Sequence, residues 1–359
     1  MYSAFYKLLP TEKDIADENV HLLNDQEIKY IKKTEKNAIL ISALIGGMMV
    51  IILYAPQYKL THLFSTTEYT IPYLNQRIQI SFISLLYGIF LVFAELFLLT
   101  LLNIYCTHEV ALLSGFIDKN NKLSHEKKDF LLNISHQKKN KEIHKLGINP
   151  YLGLNKTTVF LMNLFFTLKA TLSNFLIRIL FQRLLGRYAI RLILDLLGIP
   201  VFAFWNAMGT AKILKESRII IMGVNYLKHF EKELQSFRQL TELEKSLLYD
   251  TLQYIAVSKR DYHKNHFVLS KIVIDHFSIT TEKLHKISEN YGTQIRSCSN
   301  DFKMLNEKIL ILGIVLDGSV SFRESNRIKK LHSMQVLTSN QNKIKNIAKE
   351  FMYGKGIDI

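Results

Sequence analysis

The sequence predicts an all-α chain in which about four transmembrane helices, arranged as hairpins, precede a soluble helical bundle. Three observations carry that expectation. Apolar residues make up 48% of the 359 residues, and the long apolar runs fall almost wholly before Lys215. Only five prolines occur, and few stretches alternate with period two, which favours helix over sheet. Beyond Lys215, apolar residues recur at spacings of three and four, the pattern of helices that face a core.

Residues 1–37 form a mixed-charge segment without the early apolar core of a signal peptide, and are expected in the cytosol. Residues 38–105 are expected to be a transmembrane hairpin. Its first run, Ala38 to Ala55, carries no charge, and at roughly 17 residues it is near the lower limit for a spanning helix. Its second run, Ile78 to Tyr105, holds a single charge, Glu95, amid FLVFAELFLLTLL. A carboxylate there costs a few kcal/mol, roughly 2.5–3.5 on insertion scales, unless it is neutral, paired or facing a cavity. It therefore reads either as an ion or proton site or as a neutral Glu bonded to a neighbouring helix.

Residues 106–156 form a basic loop with nine lysines between Thr107 and Lys156. The positive-inside rule puts this loop in the cytosol, and Lys29, Lys32, Lys33 and Lys36 ahead of the first run agree. Residues 157–213 are long and apolar enough for a second hairpin, but they carry charges: Lys169, Arg178, Arg183, Arg187, Arg191 and Asp195. The last four of these fall at steps of four and form one stripe on a helix. The region is read either as a hairpin whose charges pair internally or as amphipathic helices in the interface with arginines on lipid phosphates. Both readings leave the N- and C-termini on the cytosolic side of a multi-pass protein.

Residues 214–239 read as a connecting helix and residues 240–359 as a cytosolic helical domain. Thr241, Thr281 and Ser321 stand where helix N-caps are expected. A helix–turn–helix pattern around Ile255 to Phe277 returns around Ile311 to Met334, where the turn is LDGSVSFRE. Gly318 suits the end of a helix, and Asp317 and Glu324 flank the turn.

The stretch LGIVLDGSVSFRESNRIKKLHSM resembles the turn of tellurite-resistance TerB-like domains, in which a helix ends in Asp-Gly and a Glu opens the next. The resemblance covers roughly Leu240 to Gly356. Upstream, GRYAIRLILDLLGIPVFAFWNA resembles part of an uncharacterised family of bacterial membrane proteins. The resemblance implies a two-half helical bundle, the bacterial inner membrane, a place in stress response, and a divalent cation at Asp317 and Glu324. The corresponding positions of the first half are Lys259, Arg260 and His266, so this chain departs from a symmetric acidic site. A hard cation wants several carboxylate oxygens. A turn acid and a helix-opening acid also explain Asp317 and Glu324 without any metal.

The composition excludes several classes. Cys106 and Cys298 are too far apart in sequence for a disulfide framework and lack metal-ligand spacing. The net charge of +15 sits beside apolar runs, so anionic membrane lipids are the expected partner and nucleic acid is not. No nucleophile elbow, P-loop or dinucleotide fingerprint occurs, so no catalytic residue, cofactor or enzymatic activity is expected. His108-Glu109 opens like a zinc-protease motif but lacks its second histidine, and His108, His125, His136 and His144 read as solvated. Three functions remain. The first is a scaffold or sensor that presents the helical domain to cytosolic or membrane protein partners. The second is an oligomeric channel or transporter using Glu95, Lys169 and Asp195. The third, ranked last, is a lipid-headgroup enzyme.

Overall fold

The computed structural model describes residues 23–65, 67–71, 76–117, 145–150, 152, 155, 157, 198–259, 263–282 and 285–357. Helix dominates these residues. The elements run α1 (Asp25–Lys59), β1 (Thr67–Ile71), β2 (Gln76–Ile80), α2 (Phe82–Leu113), α3 (Gly198–Leu234), α4 (Glu242–Lys259), α5 (Lys264–His276), α6 (Tyr291–Ser297), α7 (Asn300–Val315), α8 (Phe322–Ser333) and α9 (Gln341–Met352). The all-α expectation needs one amendment. The loop between the first two long helices folds as an antiparallel hairpin, with Thr67 opposite Ile80 and Ile71 opposite Gln76.

The chain packs as two units. The described residues of the first lie within Lys32–Cys106 and Phe160–Leu214; those of the second lie within Leu9–Ile31, Thr107–Val159 and Lys215–Ile359. The long helices α1, α2 and α3 contribute residues to both units.

In the first unit, α1 and α2 run antiparallel. The Tyr87 hydroxyl donates to the Ile52 carbonyl (2.8 Å), while Ala38 packs with Cys106 and Leu214 at the other end. The start of α3 lies antiparallel to α1, since Gly198 faces Val50 and Gly46 faces Phe202 and Asn206. A Cβ on Gly46 would come within 2.7 Å of the Phe202 carbonyl oxygen, so glycine is what lets these helices approach. Helices α1 and α2 are long and apolar enough to cross a membrane, and only 28% and 11% of their most apolar stretches are buried. A core helix of a soluble protein would hide most of that surface. Leu40, Leu44 and Met48 on α1 and Leu86, Phe90 and Phe93 on α2 are exposed instead.

Four such helices were expected, and two are found among the described residues. Much of the second hydrophobic region lies outside those residues. Its described end, from Gly198, is the start of a 37-residue helix that runs on without a break to Leu234, through most of the segment read as a separate connector. The connector is also no mere linker. Ile219, Ile221, Met222, Leu227, Phe230 and Leu234 on α3 are buried in the second unit.

In that second unit α4 packs against α7, each leads along the chain to a further helix (α5 after α4, α8 after α7) to give two successive helix pairs, and α9 lies against α7 and α8. Helices α4 and α7 lie parallel, joined by the Thr251–Asn306 hydrogen bond (2.6 Å) and by Ile255 against Gly313. The caps repeat between the pairs. His263 opens α5 by accepting from the Asn265 amide, and Ser321 opens α8 with a full capping box to Glu324. Each pair ends on a residue of positive φ, Ser278 (50°) and Gln335 (56°), and the following amides bond back to Ile274 and Leu331. Thr241 forms the same reciprocal box with Glu244. Thr281 does not cap a helix. The described residues between Ile279 and Asn290 form no helix; His285 and the Ser288 amide are pinned to Asp250 on α4, and the next helix opens at Tyr291.

Candidate functional site

The acids singled out in the turn after α7 do converge, and the group between them is a lysine. Lys259, the last residue of α4, extends its ammonium into the α7–α8 turn with only 3% of its side chain exposed. The nitrogen lies 2.5 Å from Glu324 Oε1 and 2.7 Å from Asp317 Oδ2. It also donates to the Ile314 carbonyl (2.7 Å) and the Ser319 carbonyl (3.2 Å). The first-half counterpart of Asp317 thus closes on Asp317 itself. As they stand, Asp317 and Glu324 do not fit a metal, because the position between them is filled by the ammonium. Among the described residues, no group of three or more His, Cys, Asp or Glu side chains converges as metal ligands would.

Beside this cluster, His266 is buried within the helical domain. Burial pushes its imidazole well below its ordinary value, and the nearby Lys259 and His263 charges add to this, while a hydrogen bond with the Gly313 backbone opposes them. The folded-state value is depressed, so the unfolded chain takes up a proton that the folded chain refuses. Stability is therefore whole above about pH 6.5 and falls as pH drops below it, by up to about 1.4 kcal/mol per unit. A thermal melt should shift down between pH 7 and 5, and His266→Leu should flatten that shift. An equal shift in the variant would assign the effect elsewhere.

Two further polar groups tie the second unit together. Arg238 grips Glu244, which also accepts from the Thr241 amide and hydroxyl. The guanidinium holds the Glu244 carboxyl below its usual range against the opposing pull of burial. On the other side of α4, the buried Asp250 takes His285 Nε2 at 2.7 Å, and Tyr249 stacks on that imidazole. The backbone of 146–149 is clamped alongside: Tyr249 donates to the Leu146 carbonyl, and Gln253 exchanges two bonds with Asn149. These groups read as structural pins. Tyr291, fully buried with its hydroxyl on Thr251, is pushed up to about 12 by burial and stays protonated.

Among the charges predicted for the apolar helices, Glu95 is described, and Asn206 Nδ2 on α3 donates to its Oε1 at 2.6 Å. That is the neighbouring-helix bond foreseen as one reading. Lys169, Arg178, Arg183, Arg187, Arg191 and Asp195 lie outside the described residues, as do His125, His136 and His144. His108 corrects its expectation: it is buried, not solvated. Its chain neighbours are hydrogen-bonded in the second unit, where Tyr30 donates to Glu109 and Thr107 bonds Ser217. Arg218 and Glu27 are buried in the same unit.

The sequence marks Lys259 only as the first-half counterpart of Asp317, and it gives no sign of Asn265. The Asn265 amide donates to the Ile219 carbonyl (2.9 Å) and the Leu316 carbonyl (2.8 Å), so one side chain joins α3, α5 and the end of α7. Polar residues in a helical pattern give no cue that they point inward. Compared with known proteins, the chain matches no family model, no curated protein and no solved structure.

Proposed function

We propose that the chain is a multi-pass protein of the bacterial inner membrane, with both termini in the cytosol, whose C-terminal helical domain is a non-enzymatic scaffold or sensor that binds other proteins. The observation that carries the binding half is where the most exposed apolar side chains fall. Phe322 is 83% exposed and Met304 72%, and both stand on the C-terminal helices rather than on α1 or α2. A large ring left in water beside Arg323 is the composition of an interface anchor. Anchoring rests on the bare apolar faces of α1 and α2, which suit lipid tails, and the basic flanks suit anionic headgroups. The turn's resemblance to TerB-like domains extends the reading to envelope or metal stress.

The test compares full-length protein with a Phe322→Ser/Met304→Ser variant, cross-linked in cells and purified in detergent. Specific protein partners should be recovered with the first and lost with the second while both remain in the membrane fraction. Identical recoveries would remove the scaffold reading.

A second reading, an oligomeric channel or transporter, draws support from the Glu95–Asn206 bond between otherwise apolar helices. Proteoliposomes should then pass ions or protons, and Glu95→Gln should abolish the flux. Lys169 and Asp195 complete that proposal from sequence alone.

A further inference from the structure

The oxygen cage around Lys259 holds more negative charge than its occupant can match. An ammonium has three protons. Four oxygens crowd it: Asp317 Oδ2, the Ile314 and Ser319 carbonyls, and Glu324 Oε1, the nearest at 2.5 Å, so three protons must serve four acceptors. Two carboxylates and two backbone carbonyls about one point form the donor set of a hard divalent cation, which has no fixed number of donors to exhaust.

The cage is also held from behind, independently of the lysine. Asp317 Oδ1 accepts from the Ser319 amide (3.1 Å), and Glu324 Oε2 accepts from the Ser321 amide (2.8 Å) through the α8 capping box. Each carboxylate thus has one oxygen fixed by the turn and the other aimed at the centre. Gly318, at φ +69°, gives the turn its shape, and a side chain there would be strained. The ammonium lies within 2.5–3.2 Å of all four oxygens, so an ion at that centre and the ammonium exclude one another.

We infer that Lys259 is a tethered cation standing where a divalent ion would otherwise bind, and that removing its ammonium opens a hard-cation site made of Asp317, Glu324 and the carbonyls of Ile314 and Ser319. The helical domain closes its α4–α8 corner without an ion, and its fold does not respond to calcium, magnesium or chelator. The site is latent in the native chain and becomes available only when the lysine is lost.

The experiment uses full-length protein in detergent, with Mn2+ and Ca2+ as probes. The native chain should show the same thermal midpoint with EDTA and with millimolar Ca2+, and no tightly bound Mn2+ by electron paramagnetic resonance. Lys259→Ala should bind one Mn2+ at least tenfold more tightly than the native chain and melt higher when Ca2+ is added. Lys259→Ala combined with Asp317→Asn and Glu324→Gln should lose both responses. Equal Mn2+ uptake by the native and Lys259→Ala chains would overturn the inference, as would a folded Lys259→Ala chain indifferent to either ion. Lys259→Gln keeps a hydrogen-bonding side chain without charge, and it replaces the alanine variant in both measurements if that variant does not fold.

Discussion

Gly223→Ala is expected to destabilise the C-terminal unit by about 2–4 kcal/mol, although it replaces a helix-breaking residue with the best helix former. Gly223 lies inside α3, and a Cβ there would overlap the Asn265 side chain. Asn265 is fully buried and cannot swing into solvent. If it moves, the Leu316 carbonyl loses its side-chain donor, and the Ile219 carbonyl keeps only the bond of its own helix. The unpaired Leu316 carbonyl costs about 1–3 kcal/mol and the overpacking about 1–3 kcal/mol more, against about 1 kcal/mol returned by helix propensity. Gly209, on the same helix, has open space around its missing Cβ, so Gly209→Ala should be neutral or slightly stabilising. Urea or thermal melts of the two variants read the difference. Matching midpoints would mean that α3 is not a packed member of the unit. Folded stabilities of about 5–15 kcal/mol make such a loss large for one methyl group.

The same contact shows where sequence legibility stops. Helices α1 and α2 were plain because charge-free or nearly charge-free runs of that length have few other uses. The caps at Thr241 and Ser321 were also legible, for each has a glutamate three residues on, the spacing that lets side chain and backbone bond reciprocally. Thr281 has Leu284 at that spacing, and no helix starts there, so the missing acid was the available warning. The continuity of α3 was hidden because its apolar run passes into a charged amphipathic one, which reads equally as a new element. The hairpin was hidden by brevity: strands of five residues carry too little alternation to stand out.

The role of Lys259 was hidden for a different reason. A lysine in the last turn of a helix already has an explanation, since it complements the helix dipole. Only tertiary placement shows that its stem is buried and that its charge is committed to the turn of the other half. Asp317 and Glu324 were legible as a pair but not in role. Glu324 serves at once as the cap of α8 and as a counter-charge, one oxygen for each.

Phe90→Arg is expected to reduce membrane insertion of α2 from near-complete to about half or less, while Phe322→Arg leaves it unchanged. Both phenylalanines are exposed, Phe90 on α2 and Phe322 on α8. Exposure alone therefore cannot say which of them meets lipid; the surrounding helix decides. Leucine, isoleucine, phenylalanine and valine each contribute about −0.3 to −0.6 kcal/mol to insertion, whereas a central arginine costs about 2.5–3.5. The apolar residues from Phe82 to Leu102 outweigh the single Glu95, but a second charge brings the sum close to zero. Asn206 offsets part of the cost of Glu95, whereas Phe90 stands exposed. On α8 the outward face already carries Arg323, Lys329 and Lys330, so one more cation there changes nothing for insertion. Alkaline extraction, with glycosylation mapping of the α1–α2 connection, measures both variants. If Phe90→Arg were retained in the membrane like the native chain, α2 would be packing against protein rather than lipid. The bare faces of α1 and α2 would then have to be covered by further copies of the chain or by a partner, which shifts the weight toward the oligomeric reading.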